Sequence, residues 1–206
     1  MKKKIFYSVT IFFLISCILF LGTESKRFTG YNYLVTGENI TNLKKISDFY
    51  QRYNNYKKLV KKINSNNEKR NKIIDVSTWV YDNIKKISVD DVIIDSHPWT
   101  IVERQMGARD QSSDILSVLF IYSNIDSFFK MSFGQIYHPL TFFKNNNNWS
   151  IIDPYYGVYF LNDRNQFCNL NEHKSKKCFF FHLEFGKISN DVLSKIFFDK
   201  NFKNLI

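Results

Sequence analysis

The feature that most constrains the fold of this chain is a change in the spacing of its apolar residues near Asp126. Before this point apolar residues recur at helical intervals, as at Ile115, Leu116, Leu119 and Phe120. After it, short aromatic and β-branched segments are separated by turn residues, which is typical of strands. The first part of the chain is therefore predicted to be mainly helical, and the part that follows to form short strands.

The same spacing predicts most of the individual elements, and Pro98 predicts the first turn of a short helix. Helices are expected at 41–63, 73–84, 98–105 and from just after Gly107 to about Asn124, strands at 128–133, 137–143, 149–152, 156–161 and 179–185, and a closing helix at 189–198. Asn145 to Asn148 form the predicted hairpin loop, because asparagine tolerates positive φ. We expect Gly107 to allow a sharp turn into the fourth helix and Asp110 or Ser112 to cap it.

The N-terminus predicts export. Three lysines precede an uncharged run of 18 residues from Ile5 to Gly22, so residues 1–25 are expected to be a signal peptide, a lipoprotein signal or a membrane anchor. Leu14 to Cys17 resembles a bacterial lipobox, which would make Cys17 a lipidated first residue. Cleavage near Ser25 and a buried N-terminal strand are alternatives. All export interpretations place the body of the chain outside the cytoplasm, membrane-anchored or secreted.

Length and composition bound the rest of the chain. With 206 residues, of which 44% are hydrophobic, it can form one domain with a full core and a short extra segment. We expect a helical segment at 26–72 and the domain at 73–206. The net charge of +10 does not predict nucleic-acid binding, because the basic residues are scattered and a composition rich in Phe, Ile, Asn and Lys explains much of it.

The predicted helix at 41–63 has one apolar face and one lysine-rich face. Such a helix can lie on a membrane surface or on a partner protein. Tyrosines tolerate partial burial, so we favour packing of this helix against the core of the domain.

Three motifs follow one another in the second half of the chain. Gly107-Ala108-Arg109 opens a predicted helix, Tyr137-His138-Pro139 begins a strand, and Trp149-Ser150-Ile151-Ile152-Asp153-Pro154 closes the next strand. This order resembles the core of transglutaminase-like proteins, papain-related α+β domains with a Cys-His-Asp triad. The resemblance implies an α+β fold in which helices pack on an antiparallel sheet. The resemblance implies that His138 and Asp153 occupy the second and third triad positions, and that Arg109 occupies the first.

Arg109 cannot be a nucleophile, because its guanidinium carries no available lone pair at biological pH. A shift of one residue would place Asp110 there, and a carboxylate is not an acyl-transfer nucleophile in this setting. Ser112 and Ser113 are rotated away, since each helical residue turns the side chain by about 100°. The resemblance therefore implies a member that has lost its usual chemistry.

Besides a purely structural, membrane-tethered domain of an envelope assembly, two functions are compatible with this interpretation. The first is a non-catalytic binding or scaffold domain for a protein, peptide or glycan of the cell envelope. The second is a residual hydrolase or amide-transfer enzyme that uses His138 and Asp153 with an unrecognised nucleophile.

A binding site could use the same geometry. Arg109 at a helix N-terminus beside His138 would form an electropositive pocket for a carboxylate or phosphate. Asp110 would oppose it by neutralising the guanidinium, and Gln111 and Trp149 are further candidate binding residues. Equally, the histidine and its carboxylate partner can persist as an inert structural pair.

Cys168 and Cys178 are separated by nine residues. In an exported protein this spacing predicts a disulfide that closes a lysine-rich loop. A metal site that adds His173 to these cysteines lacks a fourth ligand and the usual close spacing. Neither a metal nor another cofactor is therefore expected.

Overall fold

The computed structural model describes residues 2–29, 34–65, 71–87, 97–132, 138–175, 177–184 and 186–187. The chain divides into two compact units, Met1–Asn55 and Tyr56–Ile206. The boundary falls inside a helix, because the side chains of Tyr56, Val60 and Ile63 are buried in the core of the second unit.

The first unit contains an N-terminal helix, a hairpin and the beginning of a long helix. These are α1 (Lys2–Phe20), β1 (Gly22–Thr29), β2 (Leu34–Thr41) and the first part of α2 (Asn42–Ser65). The alternative of a buried N-terminal strand is wrong, since the segment is helical and its apolar side chains are exposed from Tyr7 onward. The antiparallel β1–β2 hairpin was not predicted, because its sequence lacks apolar alternation.

Among the residues that the structure describes, no helix is both long enough and apolar enough to cross a membrane.

The second unit confirms the predicted α+β class. Its elements after α2 are α3 (Lys72–Asn83), β3 (Lys85–Lys86), α4 (Pro98–Arg104), β4 (Met106–Gly107), α5 (Arg109–Tyr122), β5 (Ser127–Ser132), β6 (His138–Asn145), β7 (Asn148–Asp153), β8 (Val158–Leu161), α6 (Leu170–Lys174), β9 (Phe179–His182) and β10 (Gly186–Lys187). Six strands form one sheet in the order β10-β9-β8-β7-β6-β5, with every neighbouring pair antiparallel. The predicted closing helix at 189–198 lies outside the described residues.

Local chemistry sets several of these boundaries as expected. Asn146 and Asn147 have φ of 48° and 64° in the β6–β7 hairpin, and Asn124 has φ of 60° just after α5. Pro98 stands in the first turn of α4. The last predicted strand is shorter than expected, because β9 ends at His182 and a turn leads into β10.

The two faces of the six-stranded sheet carry separate cores. On the helix face, side chains of β6 to β8 pack with α3, α4, α5 and the end of α2. Phe143 and Ile152 are the buried strand residues there. On the disulfide face, Leu140, Ile151 and Phe160 pack with Cys168 in a smaller cluster.

The predicted Cys168–Cys178 disulfide is present, with the two Cα atoms 6.0 Å apart. It encloses α6 and helps to cover the disulfide face. The metal alternative is wrong, because both sulfurs are engaged in the disulfide and the described residues contain no cluster of metal-ligating side chains.

Candidate functional site

The first turn of α5 is capped by a residue that the sequence did not indicate. Ala108 is the N-cap, and its backbone N–H donates to the side-chain oxygen of Gln111 at 3.0 Å. Arg104 donates to the same oxygen at 3.0 Å. The predicted caps act differently, since Asp110 is exposed and the Ser112 hydroxyl donates to the Ala108 carbonyl. Gln111 therefore closes the start of α5, and the capping role expected of Asp110 or Ser112 is wrong.

Gly107 serves close packing rather than a sharp turn. Its φ is not positive, but a Cβ at this position would lie 3.1 Å from methyl carbons of both Ile101 and Ile84. The close approach allows β4 to run beside β3 in a parallel pair, with Lys86 opposite Gly107. This pairing brings Lys86 to the beginning of α5.

Asp153 organises the turn that follows β7. The residue is fully buried, and one carboxylate oxygen accepts from the backbone N–H groups of Tyr155 at 2.9 Å and Tyr156 at 3.0 Å. Gly157 completes the turn with φ of 70°, and a Cβ there would lie 2.9 Å from the Tyr81 ring. The carboxylate thus fixes two tyrosines at the end of β7, and the glycine lets the turn lie against α3.

Arg109 reaches this turn. Its guanidinium carbon lies 4.7 Å from the ring centre of Tyr156 and 5.4 Å from that of Tyr155, and its terminal nitrogen donates to the Tyr156 hydroxyl. The Lys86 ammonium lies over the same rings, at 5.9 Å and 5.3 Å, and 4.9 Å from the ring centre of Tyr81. We call these five residues the cation–tyrosine cluster.

Partial burial shapes the electrostatics of the cluster. It lowers the pKa of Lys86, against the opposing attraction of Asp153 and Glu184, although much of the lysine side chain is open to solvent. It raises the pKa of Tyr156 more than the nearby guanidinium lowers it. The tyrosine therefore stays neutral at physiological pH.

His138 begins β6, which runs along the first turns of α5. The hydroxyl of Ser113 donates to the Pro139 carbonyl at 3.2 Å, and the hydroxyl of Thr141 donates to the Ser113 carbonyl at 3.0 Å. The backbone of His138 therefore lies on a strand that contacts the helix of Arg109, while its imidazole is outside the described part of the chain.

Two candidate binding residues lie elsewhere. Trp149 is near the opposite end of β7 from Asp153, on the order of 13 Å along the strand, and its ring contacts Phe128 at 5.0 Å. Asp110 is exposed. The pKa of Asp114 is raised mainly by the burial of Asp114 and, to a smaller extent, by the negative charge of Asp110. Of the predicted site residues, the structure thus connects Arg109 with Asp153, through the turn at Tyr155 and Tyr156 that the Asp153 carboxylate holds.

Sequence reasoning missed most of the cluster. Tyr155 and Tyr156 directly follow the Asp-Pro motif, so their place in the chain was an available signal. Lys86 and Tyr81 reach the site only through the β3–β4 pairing and the packing of the turn, which no local pattern indicates.

His182 was also missed, because the sequence predicted only a strand at 179–185 and gave this residue no role. It is buried, with its ring 5.3 Å from the Tyr81 ring centre in an edge contact. Its Nδ1 accepts from the Glu184 backbone N–H at 3.1 Å, and burial lowers the pKa of the imidazole. The neutral imidazole of His182 therefore packs against the ring of Tyr81.

Comparison with known proteins gives limited similarity. No protein-family model matches the chain, and no curated protein matches it. A solved structure of a putative cysteine protease from Cytophaga hutchinsonii is similar with 18% sequence identity and a TM-score of 0.41. The similarity covers 50% of this chain and 37% of that chain. At this level it assigns neither a fold family nor an activity, so a function can be inferred only from the residues themselves.

Proposed function

We propose that this chain is an exported transglutaminase-like domain that has lost its nucleophile and binds an anionic group of an envelope protein, peptide or glycan. One observation carries the proposal: Arg109, at the position that the family resemblance gives to the nucleophile, shares two tyrosine rings with a second cation. The ligand is expected to present a carboxylate or a phosphate.

The order of the elements supports the family assignment. Arg109 opens α5, His138 opens β6 and Asp153 closes β7, as the motifs require. The side chain at the first position is a guanidinium, which cannot attack a carbonyl. Both cysteines of the second unit are joined in the disulfide, which leaves Cys17 of the first unit as the third cysteine of the chain.

The enzymatic alternative gains no support from the nearby hydroxyls. Ser112 and Ser113 are buried, and each hydroxyl donates to a backbone carbonyl. A serine nucleophile instead needs a hydroxyl that faces substrate and donates to a base. We therefore favour binding over catalysis.

The cluster has the chemistry to recognise an anion. The Tyr156 ring and hydroxyl hold the Arg109 guanidinium in place. A guanidinium carries five N–H donors, a group suited to a carboxylate or a phosphate. Lys86 adds a second, partly desolvated cation beside the same rings. An anion bound there would be attracted by both charges at lower effective dielectric than in water.

Export and tethering complete the proposal. The lysines and apolar run at the N-terminus favour placement of the second unit outside the cytoplasm. The Cys17 side chain is exposed and accessible to lipidation. Mass spectrometry of the mature chain would distinguish retention of α1, cleavage near Ser25 and lipidation at Cys17, and an unprocessed cytoplasmic chain would contradict export.

The binding proposal can be tested with matched ligands. Calorimetry would compare a short peptide ending in a free carboxylate with its amidated form, and inorganic phosphate with chloride, against the intact protein. Arg109→Gln is expected to weaken binding of the carboxylate or phosphate probe about ten-fold or more, because a charged hydrogen bond contributes roughly 1.5–3 kcal/mol. Arg164→Gln is the control, since Arg164 is an exposed cation in another loop. Equal binding by the two variants, or the absence of binding by the unmodified protein, would refute the proposal.

A further inference from the structure

The apolar face of α2 is buried only in the second half of the helix. Tyr56, Val60 and Ile63 lie in the core of the second unit. The first half, residues 42–55, continues the same face but exposes large apolar side chains to solvent. These are Leu43, Ile46, Phe49 and Tyr50, each between 44% and 60% exposed. The sequence alternatives of a core helix and a surface-binding helix therefore apply to different halves of α2.

The exposed half of α2 is fastened to the end of α1. The backbone N–H of Asn42 donates to the Leu21 carbonyl at 3.0 Å, and its side-chain amide donates to the Ile18 carbonyl at 2.9 Å. The Lys45 ammonium donates to the Thr23 hydroxyl at the start of the hairpin. The first turn of α2 thus satisfies carbonyls that the end of α1 would otherwise leave open, and the two apolar surfaces meet at this point.

A helix that is apolar around its whole circumference requires cover from lipid or from a surrounding protein. The large side chains of α1 from Tyr7 to Phe20 are exposed on every side of the helix. Together with the exposed face of α2 they exceed the apolar surface that a soluble protein usually presents to water. Continuity between the two surfaces indicates that one occupant covers both.

We propose that residues 42–55 lie flat on the lipid surface that α1 enters, with Phe49 and its apolar neighbours buried at the level of the headgroups. Fourteen helical residues span about 21 Å, enough to orient the chain on a bilayer. Lys44, Lys45 and Arg52 lie on the polar side of the same stretch, and Asp48 is paired with Lys44 at 3.3 Å. This balance favours anionic phospholipid. The inference shares with the proposed function only the placement of α1 at a membrane.

Site-specific probes on the full chain test this contact. In a Cys17→Ser background, Phe49→Cys and Gln51→Cys would each carry an environment-sensitive dye, on opposite sides of the helix. The protein would be bound to vesicles of phosphatidylcholine with phosphatidylglycerol, with and without nitroxide-labelled lipid. We expect nitroxide quenching at position 49 to be roughly twofold or more above that at position 51, because interfacial helices bury one face by about 5–10 Å.

Three results would overturn the inference. Equal quenching at the two positions would place the helix away from lipid. A dye at position 49 that is shielded from aqueous iodide but not quenched by nitroxide lipid would indicate a protein partner or a second copy. A full chain that does not bind the vesicles would exclude the lipid surface altogether. Carboxylate binding at Arg109, measured on the same protein without vesicles, would be unaffected by any of these results, so the two proposals fail separately.

Discussion

The two faces of the central sheet are stabilised in different ways. The helix face is covered by four helical segments and holds fully buried side chains such as Phe120 and Phe143. The disulfide face is covered by the five-residue α6 and by the loop that the Cys168–Cys178 disulfide closes. The comparison indicates that one face is held by apolar area and that the other requires a covalent link, because its core is small.

The candidate site lies between these two structures. Arg109 belongs to α5, which covers the helix face. Asp153 is the last residue of β7, and Ile151, two residues earlier in that strand, packs on the disulfide face. The turn from Asp153 to Gly157 joins them through Tyr156. Substitutions on either face should therefore change the free energy of unfolding more than they change the geometry of the cation–tyrosine cluster.

The largest effect is expected on the helix face. Phe120 is fully buried, with its ring centre 5.5 Å from that of Phe143, so Phe120→Ala should reduce the free energy of unfolding by about 3–5 kcal/mol. Phe128→Ala is the control, because Phe128 is 43% exposed on the edge strand β5 and should lose far less. Urea denaturation measures both, and similar losses would contradict the comparison.

Acid should destabilise the disulfide face through His173. The ring centre of His173 lies 4.5 Å from that of Phe160. Burial lowers the pKa of His173, and although the charge of Glu172 opposes this effect, the pKa falls from 6.5 to about 4. The unfolded chain then binds the proton more readily, so stability is lost as the pH falls from 6.5 towards 4. The loss approaches about 3 kcal/mol, since one unit of pKa corresponds to 1.36 kcal/mol.

His173→Gln provides the comparison for this effect. Denaturation at a series of pH values should show a shallower loss of stability below pH 6.5 in the variant than in the unmodified protein. Parallel pH profiles would show that His173 does not carry the effect.

Removal of the disulfide should have a slightly smaller effect. The bond closes a loop with a sequence separation of 10, for which loop entropy gives about 2–3 kcal/mol. The double variant Cys168→Ala, Cys178→Ala should lose this amount in urea denaturation, and reductant should destabilise only the unmodified protein. A loss near zero would show that apolar packing alone holds the disulfide face.

The smallest effect is expected at the start of α5. Gln111→Ala removes the acceptor for the Ala108 N–H and for Arg104 and should cost about 1–2 kcal/mol. Asp110→Ala, one residue earlier on the exposed side, should change stability by less than about 0.5 kcal/mol. Thermal denaturation of the two variants measures both losses of stability. A larger loss for Asp110→Ala than for Gln111→Ala would show that Asp110 is the cap, as expected from sequence.

The sequence was most informative where physical causes are local. Apolar spacing predicted α3 and α5, Pro98 predicted the start of α4, and the asparagines predicted the β6–β7 hairpin, because each depends on neighbouring residues. The disulfide was predictable from two cysteines separated by nine residues in a chain whose N-terminus predicts export.

It was least informative where distant segments meet. Lys86 joins Arg109 only because β3 pairs with β4 across a long separation in sequence. Gln111, and not Asp110, caps α5, because its side-chain oxygen accepts from the backbone N–H of Ala108. Nothing in the sequence favoured Gln111 as the cap. The burial of His182 likewise depends on the packing of Gly157 against α3.

The central claim is that Arg109 occupies the position of a lost nucleophile, and the rate of thiol alkylation as a function of pH tests it most directly. In a Cys17→Ser background, Arg109→Cys should give a thiol with a pKa at least one unit below the usual value of about 8.5. The helix N-terminus and the imidazole that the family resemblance assigns to His138 would both favour the thiolate. Asp110→Cys should titrate near 8.5, and His138→Ala should raise the pKa of the thiol at position 109. A thiol at position 109 that titrates at or above 8.5 and ignores His138→Ala would contradict the claim.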